Sequence, residues 1–459
     1  MTTPDAAPPG ADAGTTFAVQ QLGGDAPDGG CASAGMQSAI AVSGSKVAFA
    51  SLATTPSTMT QTCVAMTGGT PQASPVPLWN VCYAESSSGG MYTTQLVTSQ
   101  PYLEPTGVGL ALDSKGNPTV AYTGEGTPPA AESCGSNALF TSTAQGSTFG
   151  TAVPVSQAAM GNPIVASGVA TCASEQNICS SGDTTGLWPS IAFDPNDNAV
   201  IAFRDVHYGF ATDDENESDV VLAEQSGGSY QLLTVDVGGG GRYNRVAFTP
   251  AGLPAVLQFN EHGLTSGVWM DRDTVGGSVA AQAADGGWAP PAQVSADQIQ
   301  PQLGFGISSQ GLYAAAYFDS VKSQLLYTQS MDGMTWSTPA AVDTNGATGF
   351  YPSLAFDPTG EPAIAYYRCS AQPADATSMN CNAPADGLYV ARRVGTTWSI
   401  QVVRPVAGQS GAYDPDQVTD GLYPALAFVN GKIVVAYQVR SLDAVSMTNV
   451  PSWWVAEEQ

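Results

Sequence analysis

Residues 351–368 read YPSLAFDPTGEPAIAYYR, and residues 188–205 read WPSIAFDPNDNAVIAFRD. Each holds a short apolar run, a turn opened by Asp-Pro, and a second run rich in β-formers, which together signal a hairpin. The pattern returns as GVGLALDSKGNPTVAYTG (107–124), YNRVAFTPAGLPAVLQFN (243–260), QPQLGFGISSQGLYAAAYFD (300–319), YPALAFVNGKIVVAYQ (423–438) and, in weaker form, QSAIAVSGSKVAFAS (37–51). Seven copies of one unit mark a repeat architecture.

A second hairpin follows each first one, most clearly as LYVARRVGTTWSIQVV (388–403), LLYTQSMDGMTWSTPAAV (325–342) and VVLAEQSGGSYQLLTV (220–235). An aromatic opens its second strand every time: Tyr92, Phe149, Tyr230, Trp288, Trp336 and Trp398. Four antiparallel strands per repeat and seven repeats describe an all-β, seven-bladed β-propeller. The last repeat ends in PSWWVAEEQ (451–459), a third strand without a fourth, and TTFAVQQL (15–22) matches TTWSIQVV (396–403), with Phe17 in the aromatic place. The N-terminal strand is therefore expected to complete the last blade and close the ring, which removes an open sheet edge. The domain is expected to span 15–459, with 1–14 as a linker.

Composition supports this reading. Gly 51 and Pro 32 supply the turns of many short strands, while 43% hydrophobic against 11% charged residues excludes a disordered chain. Lys and Arg number 13 against 39 acidic residues, a net charge of −26 that argues against nucleic acid and anionic membranes as partners. No apolar stretch is long enough for a membrane span. The eight cysteines suggest an oxidising compartment, so the protein is expected to be secreted, periplasmic or on the cell surface, its leader absent from this sequence. Cys172 with Cys179 and Cys369 with Cys381 are close enough to staple single loops. The pairing of Cys31, Cys63, Cys82 and Cys134 stays open.

The stretch Ser330, Asp332, Gly333, Thr335 and Trp336 resembles the Asp-box of sialidase-like propellers, one residue shorter than the usual form. The resemblance extends to the repeat architecture, and it implies a structural turn, not an activity.

Turns within each hairpin are tight, whereas the connections on the opposite face carry the long insertions, at roughly 52–79, 124–137, 156–187, 206–219, 369–387 and 404–422. Elaborated loops on one face of a rigid scaffold read as a binding surface. An aromatic recurs before strand one at the channel mouth, at Trp188, Tyr243, Tyr351 and Tyr423, giving flat surfaces for sugar rings. The only two histidines, His207 and His262, follow the matched positions Asp205 and Asn260 in neighbouring blades. Seven-fold geometry puts such positions roughly 9 Å apart, within reach of one ligand. Arg204, Arg242 and Arg245 gather at the same two blade mouths, and Arg245 aligns with Ser190, Gln302, Ser353 and Ala425. Tyr208, Glu261 and Arg368, the last near a strand-two end, complete the candidate ligand-binding set.

Histidine as base, tyrosine as acid and arginine on a carboxylate are what β-elimination of a uronic-acid polysaccharide requires. The residue types are similar in kind to those of propeller polysaccharide lyases such as the ulvan lyases, which implies a base or substrate ligand at His207 and His262, an acid at Tyr243 or Tyr208, and a clamp at Arg204 or Arg245. A sialidase-like reading lacks the R-I-P sequence, and a hydrolase would need paired carboxylates among Asp205, Glu261 and Asp319. His207 and His262 could instead hold a divalent metal with Asp205 or Glu261; no other cofactor is expected. The non-enzymatic alternative is a monomeric recognition module for glycans or proteins.

Overall fold

Asp194, Asp357 and Asp113 each begin a turn that they close with their own carboxylate. In a computed structural model of the protein, Asp194 Oδ1 accepts the amides of Asn196 (2.8 Å) and Asn198 (2.7 Å), and Asp357 Oδ1 those of Thr359 (2.8 Å) and Glu361 (3.0 Å). Asp113 Oδ1 does the same for Lys115 (2.9 Å) and Asn117 (2.7 Å), while the hydroxyls of Thr249 and Ser308 replace the carboxylate in two further blades. A side chain that caps its own turn folds the flanking runs back as a hairpin. The structure describes residues 16–22, 30–55, 60–67, 70–86, 90–101, 106–126, 137–146, 148–157, 184–206, 218–236, 239–260, 267–274, 288–369, 386–405, 419–442 and 449–459.

The described strands form seven antiparallel sheets, and among the described residues there is no helix, so none that could cross a membrane. The inner strands Met36–Ser43, Val108–Leu112, Thr184–Phe193, Arg242–Phe248, Ile299–Ile307, Ala347–Phe356 and Thr419–Val429 pack one against the next and back to the first, making a closed seven-bladed β-propeller. The blades are numbered one to seven in that order. Between blades lie apolar cores, and the aromatic that opens each outer strand packs into one of them: Tyr92, Phe149, Tyr230, Trp288, Trp336, Trp398 and Phe17.

The N-terminal strand Phe17–Leu22 pairs with Asn449–Glu458 from Phe17 opposite Glu458 to Leu22 opposite Trp453, and so supplies the fourth strand of blade seven. Leu22 and Trp453 are buried there with Phe49 and the Cys31–Cys82 disulfide. Those cysteines are 51 residues apart, and in the loop-entropy picture such a link stabilises by about 4 kcal/mol. It settles the pairing of two of the four open cysteines. Cys369 is also disulfide-bonded, whereas Cys134, Cys172, Cys179 and Cys381 lie outside the described residues.

Two expectations need correction. The insertion at 52–79 is not a plain loop: Thr60–Thr67 pairs with the first half of the long strand Thr70–Ser86, so a hairpin extends blade one. Gln302 is not the counterpart of Arg245. Arg245 faces Leu257 on its neighbouring strand, and the residue at that register in blade five is Gly304, opposite Ala316. The repeat of blade five starts two residues later than its Gln-Pro pair at 300–301 suggests, so Gln302 takes the positive-φ place of Tyr351 and not the place of Ser353.

The position before strand one has an unusual backbone. Gln37, Trp188, Tyr243, Gln302, Tyr351 and Tyr423 all have φ between 48° and 72°, with Gly107 as the seventh member. The left-handed conformation costs a side-chain-bearing residue about 1–2 kcal/mol. In those six blades it coincides with a slip in register against strand two, a bulge that re-aims the strand. Close passage over the preceding blade forces the entry: a Cβ on Gly349 would lie 2.6 Å from Leu325 Cβ, and one on Gly421 2.6 Å from Leu388 Cβ.

Within the turn at 330–336, Asp332 Oδ1 accepts the amides of Thr335 (2.7 Å) and Met334 (2.8 Å), while Ser330 Oγ donates to it (2.9 Å) and accepts the Gly333 amide (2.9 Å). Those amides, Thr335 first, hold the Asp332 carboxyl down at about 2. A depressed carboxyl pKa stabilises the fold above its ordinary value of 3.8 and loses that contribution as pH falls toward 2. Asp332→Ala is expected to lower the melting temperature at pH 7, with the gap to the parent closing between pH 4 and pH 2; scanning calorimetry across that range checks it. Deleting residues 1–22 should expose Trp453 and leave a bare strand edge, so loss of more than about 3 kcal/mol of stability is expected, with self-association by gel filtration. A monomer of parental stability would contradict the role given to that strand.

Candidate functional site

The site grows from the two kinked inner strands of blades three and four. Trp188 stands at the kink of blade three. The Arg204 guanidinium lies 5.5 Å from its ring centroid and that of Arg242 lies 5.4 Å away. Tyr243, at the kink of blade four, meets Trp188 edge-on at 5.6 Å and stacks near Phe259 at 6.4 Å. Cation–π contacts of this kind contribute about 0.5–2 kcal/mol each. The contact with blade three depends on Gly241, where a Cβ would lie 2.9 Å from that of Arg204.

Burial separates these residues by accessibility. Arg204 is 2% exposed and Asp205 4%, so both sit inside the wall, whereas Trp188, Arg242 and Tyr243 are half-buried and reach the surface. Asp205 lies opposite Asp219 on the next strand, and Asn260 lies opposite Gly267 at the matching place in blade four. His207, Tyr208, Glu261 and His262 lie outside the described residues, so neither the histidine pair nor a metal held by it has a geometry here.

The aromatic set does not form one open ring. Tyr351 is 3% exposed and Tyr423 8%; their rings meet at 4.3 Å within an apolar cluster that includes Phe318, Phe350 and Tyr367. They fill the gap between blades six, seven and one, which leaves Trp188 and Tyr243 as the accessible platform. Arg368 lies over Tyr389 at 5.2 Å in blade six, not at the mouths of blades three and four. Asp319 turns inward, accepting the amides of Val321 (2.9 Å) and Lys322 (3.0 Å), which is a turn-forming role.

Inside the ring of inner strands is an axial cavity of about 200 Å³ to which all seven blades contribute. Arg245 is the only charged residue among its described walls, and Trp188 lines it too. At the register of Arg245 the other blades carry Ala39, Gly109, Ser190, Gly304, Ser353 and Ala425, so six small residues surround one long cation. Burial lowers the Arg245 pKa to about 10. At the kink level Gln302 Nε2 donates to Gln37 Oε1, linking blades five and one.

Sequence reasoning missed the polar support behind the kink. Gln258 Oε1 accepts the Gly241 amide (2.9 Å), and its Nε2 donates to Asp236 Oδ2 (2.7 Å) and Asp271 Oδ2 (3.4 Å). Asp271 is 1% exposed, and burial, reinforced by the neighbouring Asp236 charge, pushes its pKa well above the usual carboxylate value. The available signal was polar residues at inward-facing strand positions, which without the pairing pointed to no partner.

No protein-family model matches the chain, and no curated protein matches it in sequence. Among solved structures it is similar to the polysaccharide lyase Uly1 (9% identity, 92% of this chain and 89% of that chain, TM-score 0.43). It is also similar to the Hadza microbial sialidase Hz136 (10% identity, 88% of this chain, TM-score 0.41), of whose length it spans 63%. A third is AofleA from Arthrobotrys oligospora (10% identity, 86% of this chain and 93% of that chain, TM-score 0.39). Likeness at this level transfers no residue roles.

A raised carboxyl pKa means that the folded state holds its proton more tightly than the unfolded chain, so the contribution is intact below about pH 4 and is lost as pH rises. Asp271→Asn is therefore expected to match or exceed the parent in melting temperature at pH 8 and to lose that advantage toward pH 4. Parallel profiles for the two proteins would show that Asp271 is ionised throughout.

Proposed function

We propose that the protein binds an acidic, uronate-containing polysaccharide across the mouths of blades three and four and cleaves it by β-elimination. The observation that carries this reading is the Arg204–Trp188–Arg242 stack beside Tyr243, a cationic aromatic surface on a chain of net charge −26. A half-buried indole flanked by guanidiniums suits a sugar ring bearing a carboxylate. Arg242, the accessible cation at the mouth, neutralises the carboxylate, while the enclosed Arg204 positions Trp188. His207 or His262 takes the C5 proton, the C4–O bond breaks as the C4=C5 double bond forms, and the Tyr243 hydroxyl protonates the leaving oxygen. The Cys31–Cys82 disulfide supports an exported protein.

A second reading, recognition without turnover, is favoured by the same stack, which is complete as a binding surface without either histidine. The two separate in one assay series. Incubation with acidic polysaccharides should yield an unsaturated product absorbing in the ultraviolet. His207→Ala combined with His262→Ala should reduce turnover by about 100-fold or more while binding persists, and Trp188→Ala should weaken binding about 10-fold. Undiminished cleavage by the double variant would sink the assignment of the base, and binding of uronate polymers with no product would establish the recognition module.

A further inference from the structure

The axial cavity shares Trp188 with the mouth, but its cation is Arg245 and neither Arg204 nor Arg242 lines it. Its walls combine one guanidinium with two hydroxyls that still have protons to give. Ser190 Oγ accepts the Val246 amide (3.0 Å) and Ser353 Oγ accepts the Leu426 amide (2.9 Å), each tying its own blade to the next. A hydroxyl that accepts an amide keeps its own O–H for another partner, and neither proton has an acceptor among the described residues. Arg245 spends one Nη1 donor on the Asn244 carbonyl (2.9 Å), its one hydrogen bond among the described residues, and no carboxylate of those residues is within ion-pair distance. Among the described residues no acidic side chain lines the cavity. The described lumen thus presents a cation and hydroxyl donors with no counter-charge among the described residues, in surroundings that penalise an unpaired charge.

We propose that the axial cavity binds one small monoanion, a halide or a formate- or acetate-sized carboxylate, on the guanidinium of Arg245. The cavity volume of about 200 Å³ accommodates such an ion with its waters. The anion would neutralise the one charged group among the described residues of the lumen and join blade four to blades three and six through the serine hydroxyls. Ring stability then depends on a specific anion, although the chain as a whole repels anions. This inference stands apart from the polysaccharide reading, which uses Arg242 and the mouth.

The test is a thermal titration of the whole protein in sodium gluconate, with chloride or acetate replacing gluconate at constant ionic strength. A saturable rise in melting temperature of about 2–4 °C is expected for the parent, and the anion saturating at the lower concentration is identified as the better ligand. Arg245→Ser, which installs the residue that blades three and six carry at this register, should fold and lose the rise. A bromide-soaked crystal of the parent should show an anomalous peak within hydrogen-bond reach of the guanidinium. Identical melting in all three anions, a rise that persists in Arg245→Ser, or absence of bromide beside Arg245 would each overturn the proposal.

Discussion

Ring closure is the constraint on which the other features depend. Each blade is a small twisted sheet whose two faces are apolar, and such a sheet is covered only by having a neighbour on both sides. A row of seven would leave two faces bare, and a closed ring leaves none. The last blade is completed by non-local pairing, Phe17–Leu22 on Asn449–Glu458. Leu22, Trp453 and Phe49 are buried around it, and the Cys31–Cys82 link lies in the same core.

Closure has a geometric consequence at the axis. Seven inner strands must enter past the preceding blade before turning down the channel, and each does so through a left-handed residue with a bulge or a glycine beside it. The conformation is costly for Trp188 or Tyr243, and it is maintained because packing on both sides leaves no alternative. The kink also generates the candidate site. It sets Trp188 between Arg204 and Arg242 and brings Tyr243 against it, while the residue two places further on lies in the axial cavity. One backbone device, repeated around the ring, therefore shapes both the mouth and the lumen, which share Trp188. The same kink in blades six and seven yields the buried pair Tyr351 and Tyr423, because there the neighbouring aromatics Phe318 and Phe350 close over it.

The repeat count, the strand order and the closing strand were legible because each rests on local signals that recur: a self-capped Asp turn, alternation of apolar residues, and an aromatic opening the outer strand. The gathering of Trp188, Arg204, Arg242 and Tyr243 at adjacent blade mouths was legible for the same reason, since equivalent repeat positions are neighbours in a ring. Burial was not. Nothing local distinguishes Tyr243, which is half-exposed, from Tyr351, which is enclosed, and Arg204 reads like Arg242 until Gly241 is seen lying against it. The alignment of Gln302 with Arg245 failed because the Gln-Pro pair at 300–301 imitates the aromatic-Pro start of other repeats two residues too early, and only the strand pairing shows that Gly304 holds the place.

The sequence by itself determined the fold class, since a sevenfold pattern of hairpins whose faces must be covered has a ring as its solution, and it determined which side chains stand at each blade mouth. Only the tertiary structure decided which of them meet. The choice of Cys82 as the partner of Cys31, the sharing of Gln258 between Asp236 and Asp271, and the isolation of Arg245 among six small residues all depend on strands from different blades approaching within a few ångströms. Those approaches are set by packing across the ring, a property of the closed circle that no single repeat contains.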